Sequence, residues 1–299
     1  MGVNTLKQES DFRKEDSSVE DYISLLKPRV MALAVFSSVC GLILAPGYIH
    51  PFLGFVAIIC ISMGAGASGA INMWYDKDID SLMNRTKNRP VPKGVILSKN
   101  ALGFGSILAV ISVLLLGLTT NYFAALLLAS SILFYIVIYT MWLKRRTHYN
   151  IVIGGAAGAF PPVIGWVCVT GEISLYPCLL FLTIFFWTPP HFWALSLYKD
   201  VEYSKANIPM LPVVKGQKET KLQIFLYSLL LFFISLLPYY FHLVSIWFLS
   251  LAVLLNIFFV ILSYRILIEN INIEKRASSL FKYSIIYLYL YFVILVITN

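Results

Sequence analysis

The chain has 299 residues, of which 59% are hydrophobic and only 13% are charged. Soluble globular domains are usually about half apolar and about a quarter charged, so this composition excludes an ordinary soluble domain. The hydrophobic residues form long runs, and in lipid such runs satisfy their backbone N–H and C=O groups only as spanning helices. The formal net charge of +8 has to be interpreted from the positions of the basic residues.

Residues 1–27 form a polar segment of mixed charge that precedes the first apolar run. This segment has no apolar stretch before a small-residue cleavage site, so it is not predicted to be a signal peptide. We expect a cytoplasmic tail over residues 1–27, helical near Val19–Leu26, and a single membrane domain over residues 28–299. The tail also lacks the Arg/Ser-rich, acid-poor composition of a transit peptide, which favours a bacterial inner membrane.

Apolar runs bounded by charge, proline or glycine predict an all-α polytopic membrane protein with nine transmembrane helices. The predicted spans lie near residues 29–46, 51–74, 101–118, 121–142, 151–170, 175–198, 221–240, 244–266 and 279–298. Such boundaries are defined to within about three residues. Long connections at 75–100, 199–220 and 267–278, and a short basic link at 143–150, alternate with tight links.

The basic residues follow the same alternation. All 23 Lys and Arg residues fall before residue 30 or in the connections near 77–99, 144–146, 199–221 and 265–282. The links around 47–50, 119–120, 171–174 and 241–243 contain none. The positive-inside rule therefore predicts a cytoplasmic N-terminus and a C-terminus on the outer, periplasmic side. The net positive charge is an orientation signal, and we expect no nucleic-acid partner.

Three oxygen-bearing side chains follow the second apolar run at intervals of four residues. On a helix, Asn72, Asp76 and Asp80 are each rotated by about 40° from the last, so they share one face. We call these three residues the acidic ladder. Two carboxylates on one stripe at a membrane edge need a positive partner, and such ligands suit Mg²⁺ bound together with substrate phosphates. The alternative is a solvated start of a loop.

Cations close behind the acidic ladder favour the metal interpretation. Arg85 and Arg89, together with Lys87 and Lys93, could hold a diphosphate whose other oxygens bind the metal. Asp78 points away from the shared face, so we expect it to face water or to pair with Lys77 or Arg85.

Two further polar patches are predicted on the same membrane face. Tyr139 and the basic cluster at 144–146 end the fourth span, where a stop-transfer signal is the alternative explanation. The next long connection carries Lys199, Asp200 and Glu202, whose carboxylates could form a second metal site. Each patch alone is ambiguous. The prediction that both lie on the same membrane face as the acidic ladder supports a common site more strongly than any one patch does.

The sixth predicted span contains Trp187-Thr-Pro-Pro-His191-Phe-Trp193. The two prolines are expected to break the helix and to free backbone carbonyls, which is tolerated beside a cavity or a neighbouring helix. His191 is a candidate for contact with a flat, metal-bearing acceptor. A hydrogen bond from His191 to a neighbouring helix is the alternative.

These segments resemble a known family. Asn72-Met-Trp-Tyr-Asp-Lys-Asp-Ile-Asp80, followed by Arg85-Thr-Lys-Asn-Arg89-Pro, resembles the first aspartate-rich motif of the UbiA-type intramembrane prenyltransferases. Four further segments resemble the haem O synthase (protohaem IX farnesyltransferase) branch: Leu143–Thr147, Asn150–Pro162, Trp187–Trp193 and Ile208–Pro212. The resemblance extends from about Leu25 to the last span, with the motifs in order.

The resemblance implies nine helices around a central cavity, with a diphosphate site capped by cytoplasmic loops. The implied substrates are farnesyl diphosphate and haem b, taken from the lipid bilayer, and the implied products are haem O and diphosphate. Haem b is then a substrate and not a cofactor. Haem A synthase or the assembly of a terminal oxidase would receive the haem O.

The resemblance also implies roles for individual residues. Asn72, Asp76 and Asp80 would hold Mg²⁺, and with Lys144 and Arg145 they form the implied catalytic set. The implied diphosphate ligands are Arg85, Arg89, Tyr139, Lys144, Arg145 and Lys199. The spaced aspartates of the superfamily's second motif are replaced here by Lys199, Glu202 and Tyr203. Glu202, with Asp200, is the candidate for a second metal, and His191 and Trp187 are candidates for haem contact.

Two other functions remain open at the level of the sequence. One is prenylation of an aromatic acid or a quinone precursor by the same diphosphate machinery, which the segments at 150–162 and 187–193 disfavour. The other is a membrane transporter, in which interrupted helices also occur. Transporters tend to place ionisable residues near the bilayer midplane, whereas here the charges gather at one face.

Overall fold

The structure is a computed structural model that describes residues 17–299, except for the side chains at positions 200 and 201. Residues 1–16 of the tail predicted over residues 1–27, and the candidate side chain of Asp200, lie outside the described residues. Within the described range the chain is helical and contains no strand.

Twelve α-helices and one π-helical segment follow in chain order. They are α1 (Val19–Leu25), α2 (Pro28–Leu44), α3 (Pro51–Tyr75), α4 (Lys77–Leu82), α5 (Ser98–Thr119), α6 (Tyr122–Leu133) with its π-helical continuation Phe134–Leu143, α7 (Asn150–Thr170), α8 (Leu175–Tyr198), α9 (Asp200–Lys205), α10 (Leu211–Tyr240), α11 (Ile246–Ile268) and α12 (Ile273–Thr298). Eight of these elements, counting α6 with its continuation, are long and apolar enough to span a membrane. Helices α1 and α2 meet at a bend of 59°, and they give a ninth span if the two are counted together as one. The predicted all-α polytopic fold is confirmed.

Two connections are more helical than predicted. Helix α10 begins at Leu211, whereas its span was predicted from residue 221. Pro212 does not break the helix because it lies in the first turn, where backbone N–H groups have no partner within the helix. The regular path is interrupted at Gly216, whose φ of 80° is a left-handed conformation that glycine adopts at little cost. Helix α12 likewise begins at Ile273, so the link before it is short.

The expected break at the prolines of α8 is wrong. Helix α8 runs through Pro189 and Pro190, and α7 runs through Pro161 and Pro162. A proline within a helix removes one hydrogen bond to the carbonyl four residues earlier, and a neighbouring group can replace it. In α7 the carbonyl of Ala157 accepts a hydrogen bond of 3.4 Å from Ser131 Oγ. Packing between helices therefore keeps these proline-containing spans continuous.

Small residues bring α7 close to its neighbours. A Cβ atom at Gly41 of α2 would overlap the backbone of Pro162, and one at Gly165 would overlap the backbone of Ser38. A Cβ atom at Gly154 would overlap the ring of Tyr139. The small-residue stretch of α7 is thus explained at these positions by close helix packing.

Two small apolar clusters at one end of the bundle hold the elements that carry the acidic ladder. Ile79 and Met83, in and just after α4, pack with Tyr203, Ile208 and Met210 in and after α9. The second cluster joins the neighbouring segments through Leu25, Met73, Val91, Ile96 and Ala101. Together these clusters fix the short helices α4 and α9 and the loop around Val91 over the end of α3.

Candidate active site

The acidic ladder lies where α3 passes into α4. Helix α3 ends at Tyr75, yet the amide of Asp76 donates to the carbonyl of Asn72 at 2.9 Å. The amide of Asp80 donates to the carbonyl of Asp76 at 2.8 Å. These two hydrogen bonds keep the four-residue register through the junction, so the three side chains stay on one stripe. All three are buried, and Asp76 is 0% exposed.

The carboxylate of Asp76 is the centre of a polar network. Lys144 Nζ forms an ion pair with Asp76 Oδ2, and Arg145 Nη2 lies 3.4 Å from Asp76 Oδ1. Asn72 Nδ2 donates to Asp76 Oδ2 at 2.8 Å and to Thr140 Oγ1 at 3.1 Å. Since a buried charge is stable only when it is paired and hydrogen-bonded, these contacts account for the burial of Asp76.

Asp80 has its own cation. Arg89 Nη1 lies 2.6 Å from Asp80 Oδ2, and only 4% of the Asp80 side chain is exposed. The intervening loop is fixed by Thr86, whose hydroxyl donates to the Asp80 carbonyl at 2.9 Å. The loop therefore turns back and carries Arg89 to the carboxylate nine residues before it.

Two residues of this cluster were not identified from the sequence. Lys27 Nζ donates to Asn72 Oδ1 at 2.6 Å, and Thr140 accepts from Asn72. Lys27 has a φ of 53°, an uncommon conformation for a residue other than glycine, and it turns the chain between α1 and α2. A lysine directly before the proline of the first span is the signal that could have indicated it. Thr140 carries no such signal.

Other predicted residues lie elsewhere. Asp78 was expected to face water or to pair with Lys77 or Arg85; its side chain is 64% exposed, and it pairs with neither of these two cations. Instead it accepts two hydrogen bonds of 2.7 Å from Arg145, which lower the pKa of this mostly exposed carboxyl. Arg85 is exposed and forms no ion pair among the described residues.

The second patch forms a separate ion pair. Lys199 Nζ lies 3.3 Å from Glu202 Oε1, and it also lies over the Tyr198 ring at 4.7 Å from the centroid. Glu202 Oε2 is buried and has no hydrogen-bond partner among the described residues. Tyr203, the next residue, packs in the cluster that contains Ile79 of α4. The patch thus adjoins the acidic ladder through apolar contacts.

His191 and Trp187 of α8 both contact α12. The His191 ring stacks on Trp187 at 4.2 Å and on Phe281 at 4.7 Å between centroids. His191 Nδ1 lies 2.6 Å from Ser284 Oγ, whose hydroxyl donates to the carbonyl of Phe281 at 2.7 Å. Trp187 Nε1 donates to the carbonyl of Ser284 at 2.8 Å. The hydrogen bond between helices, one of the two alternatives for His191, is therefore present.

The arrangement at the ladder suits a polyanion. Four cations contact the three buried residues of the acidic ladder: Lys27 contacts the neutral Asn72, Lys144 and Arg145 contact Asp76, and Arg89 contacts Asp80. Lysine and arginine present several donors each, and an arriving phosphate can accept from them without a new desolvation of the protein.

The fold and this cluster define a polytopic membrane protein in which buried carboxylates are paired with cations at one end of the helix bundle. The UbiA prenyltransferase family model matches residues 34–286. The chain therefore belongs to the UbiA prenyltransferase family.

Relatives and solved structures agree with this assignment. The chain is 55% identical to the protoheme IX farnesyltransferase of Acidiphilium cryptum, over 93% of this chain and 90% of that protein. It is 52% identical to the protoheme IX farnesyltransferase of Parvibaculum lavamentivorans, over 94% and 89%. In fold it resembles a digeranylgeranylglyceryl phosphate synthase, with a TM-score of 0.77 at 20% identity over 93% and 97% of the two chains. A UbiA homolog from Archaeoglobus fulgidus bound to GPP and Mg²⁺ gives a TM-score of 0.67 at 16% identity over 92% and 99%.

The pairing around Asp76 predicts a stability effect. The change Lys144→Met leaves the buried carboxylate short of its ion pair, so we expect it to lower the free energy of unfolding by about 3–5 kcal/mol. The double change Lys144→Met with Asp76→Leu removes both charges and should recover most of that loss. Unfolding of the purified proteins in detergent measures both effects. Equal losses in the single and the double variant would contradict the prediction.

Proposed function

We propose that this protein transfers the farnesyl group of farnesyl diphosphate to a vinyl group of haem b, with addition of water, to give haem O and diphosphate. The observation that carries the proposal is a sequence identity of 52% and 55% to two protoheme IX farnesyltransferases, over 94% and 93% of this chain. The haem O would pass to haem A synthase or to a terminal oxidase.

The diphosphate is held, in this proposal, at the acidic ladder. Lys144, Arg145 and Arg89 already converge on its carboxylates, and Lys27 contacts Asn72. Their positive charges would balance the negative charge that grows on the leaving diphosphate, and such electrostatic stabilisation is usually the largest contribution to catalysis. Of the remaining predicted ligands, Tyr139 is half-buried beside Gly154, Arg85 is exposed, and Lys199 is paired with Glu202.

The donor set at the acidic ladder fits Mg²⁺. No three Asp, Glu, His or Cys side chains converge as a metal cage within the described part of the chain. Mg²⁺ does not require such a cage, because it commonly binds one or two carboxylates together with substrate phosphates and water. Asn72, Asp76 and Asp80 would hold it, and the buried, unpartnered Glu202 Oε2 makes Glu202 the candidate for a second ion. The metal supplies positive charge on the diphosphate oxygens.

The reaction then balances as follows. The bond between C1 of the farnesyl chain and its diphosphate oxygen breaks, and the diphosphate leaves with the electron pair. The terminal vinyl carbon of haem b bonds to C1, and water adds a hydroxyl group to the adjacent carbon with release of a proton. The cations at the ladder act on the leaving group, so the bond that they weaken is the first to break.

His191 and Trp187 are the proposed contacts to haem. Ser284 Oγ lies within hydrogen-bond distance of both the Phe281 carbonyl and His191 Nδ1. If the hydroxyl donates to Phe281, then His191 Nδ1 donates to Ser284 and Nε2 keeps a lone pair, with which a neutral histidine can bind a metal. The rings of Trp187 and Phe281, which stack on His191, make its immediate surroundings aromatic.

The ladder proposal predicts the effect of a conservative change at Asp76. We expect Asp76→Asn to reduce haem O formation by at least about 100-fold, because one of the charges that orients metal and cations is lost. Asp78→Asn is the matched control, since Asp78 is exposed and lies off the shared stripe; it should keep at least about a third of the activity. Mass spectrometry of haems extracted after incubation with farnesyl diphosphate, haem b and Mg²⁺ measures both.

The same assay tests the other functions. Removal of divalent metal by EDTA should stop both haem O formation and diphosphate release, and Mg²⁺ should restore them. Prenylation of 4-hydroxybenzoate in place of haem would favour the aromatic-acceptor activity. No metal-dependent release of diphosphate with any acceptor would favour a transporter. Equal activity of the Asp76 and Asp78 variants would remove the ladder from the mechanism.

The haem contact is tested by His191→Phe, which keeps an aromatic ring in the stack but removes the nitrogen lone pair. We expect an altered Soret spectrum and a haem affinity lower by about tenfold or more. His148→Phe, in the link before α7, is the control. An unchanged Soret titration of the His191 variant would leave the residue with the structural role of joining α8 to α12.

We also propose that the N-terminus is cytoplasmic and the C-terminus periplasmic, in a bacterial inner membrane. The proposal rests on the position of the 23 basic residues and on an odd number of spans. Alkaline phosphatase fused after Asn299 should be active, and green fluorescent protein fused there should be dark. The reverse pattern would contradict this orientation.

A further inference from the structure

A second polar site lies away from the acidic ladder, between the first turns of α10 and the link from α11 to α12. It is a groove of about 820 Å³. We call it the lysine groove, after the three lysines in its wall. The residues that shape it are Lys215, Lys218, Lys221, Leu222, Leu267 and Ile273. None of the residues assigned above to the transfer reaction lines it.

Lys221 is a buried cation with neutral partners. The residue is 6% exposed. Its Nζ donates to the carbonyl of Glu269 at 2.6 Å and to Asn270 Oδ1 at 3.3 Å. Neither acceptor carries a charge, and no carboxylate of the described residues lies within ion-pair distance of Nζ. A buried ammonium group without a counter-charge favours an anion in the adjoining groove.

The nearby carboxylates are engaged elsewhere. Glu269 Oε1 accepts from the amides of Asn270, Ile271 and Asn272, and these hydrogen bonds lower the pKa of Glu269. Its other oxygen lies 3.4 Å from Arg276. Glu219, on the groove wall, accepts from Gln223 at 2.8 Å. Three lysines therefore face one carboxylate in this wall, so the groove has an excess of positive charge.

The groove also has an apolar side that continues into the surface of the spans. Leu222 is 40% exposed, and Leu267 and Ile273 in the same wall are partly exposed. Lys221 lies where the predicted span of α10 begins, so the groove is at the height of the lipid head groups. A ligand that satisfies both walls has an anionic group for the lysines and an apolar part that extends along Leu222 and Leu267.

We propose that the lysine groove binds the phosphate head group of an anionic membrane phospholipid. Basic pockets between the ends of transmembrane helices are suited to such head groups, and each nearby lysine contributes about fivefold in affinity for an anionic surface. Free diphosphate shares the phosphate chemistry but not the apolar part. The proposal is independent of the transfer reaction, because no residue of the ladder takes part.

Delipidated protein in detergent, titrated separately with phosphatidylglycerol and phosphatidylcholine, tests the proposal by native mass spectrometry. We expect phosphatidylglycerol to bind at least about fivefold more tightly. Equal affinities for the two lipids would overturn the proposal. Inorganic diphosphate is then added to the phosphatidylglycerol complex. Displacement of the lipid at micromolar diphosphate would assign the groove to free diphosphate and overturn the lipid proposal.

Two sets of variants locate the binding. The double variant Lys215→Gln with Lys218→Gln should lower the affinity for phosphatidylglycerol by about fivefold per lost charge and leave the affinity for phosphatidylcholine unchanged. Both side chains are exposed, so this variant keeps its fold. Lys275→Gln with Lys282→Gln, two exposed lysines of α12 outside the groove, is the charge-matched control and should bind as the unchanged protein does. Equal weakening in both pairs would show attraction to charge in general and overturn the site. Lys221→Met should add a further loss.

Discussion

The absence of hydrogen-bond partners in lipid is the constraint on which the rest of this structure depends. Every backbone group in a span must be satisfied within the protein, so the chain crosses as helices, and every buried charge needs a partner supplied by another element. Asp76 shows how far apart such partners lie in the sequence, since Lys144 is 68 residues away. The ion pair joins the end of α3 to the end of the fourth span and so fixes both at the same membrane face.

The same requirement concentrates the chemistry. The buried carboxylates and the cations that compensate them are also what a metal–diphosphate unit needs, so the groups that stabilise the junction of α3 and α4 are the groups proposed to bind substrate. In the proposed function, the cations would turn to phosphate oxygens while Mg²⁺ took their place on the carboxylates, so that no charge would be left unpaired. The apolar clusters around Ile79 and Met73 hold the ladder from both sides, which keeps the cations within reach during that exchange.

Local sequence rules were sufficient for some elements and insufficient for others. The spacing of Asn72, Asp76 and Asp80 predicted a shared stripe, and the register survives the end of α3 because its hydrogen bonds continue. The break predicted at Pro189 and Pro190 is wrong, since packing against neighbouring helices stabilises α8 beyond what the local rule allows. Asp78 is exposed to water, as one alternative predicted, but the cations suggested for it were wrong, because Arg145 reaches it from a segment that is distant in sequence. Lys27 was missed for the same reason.

By itself, the sequence determined the class of fold, the approximate positions of the spans and the polar residues at their ends, since hydropathy and four-residue spacing are local properties that lipid enforces strongly. The resemblance of its motifs determined the family. Only the tertiary structure decided which cation meets which carboxylate, that Lys27 reaches Asn72, that His191 is stacked against α12, and that Lys221 is buried without a counter-charge. These are contacts between segments far apart in the chain, and their geometry depends on how the helices pack.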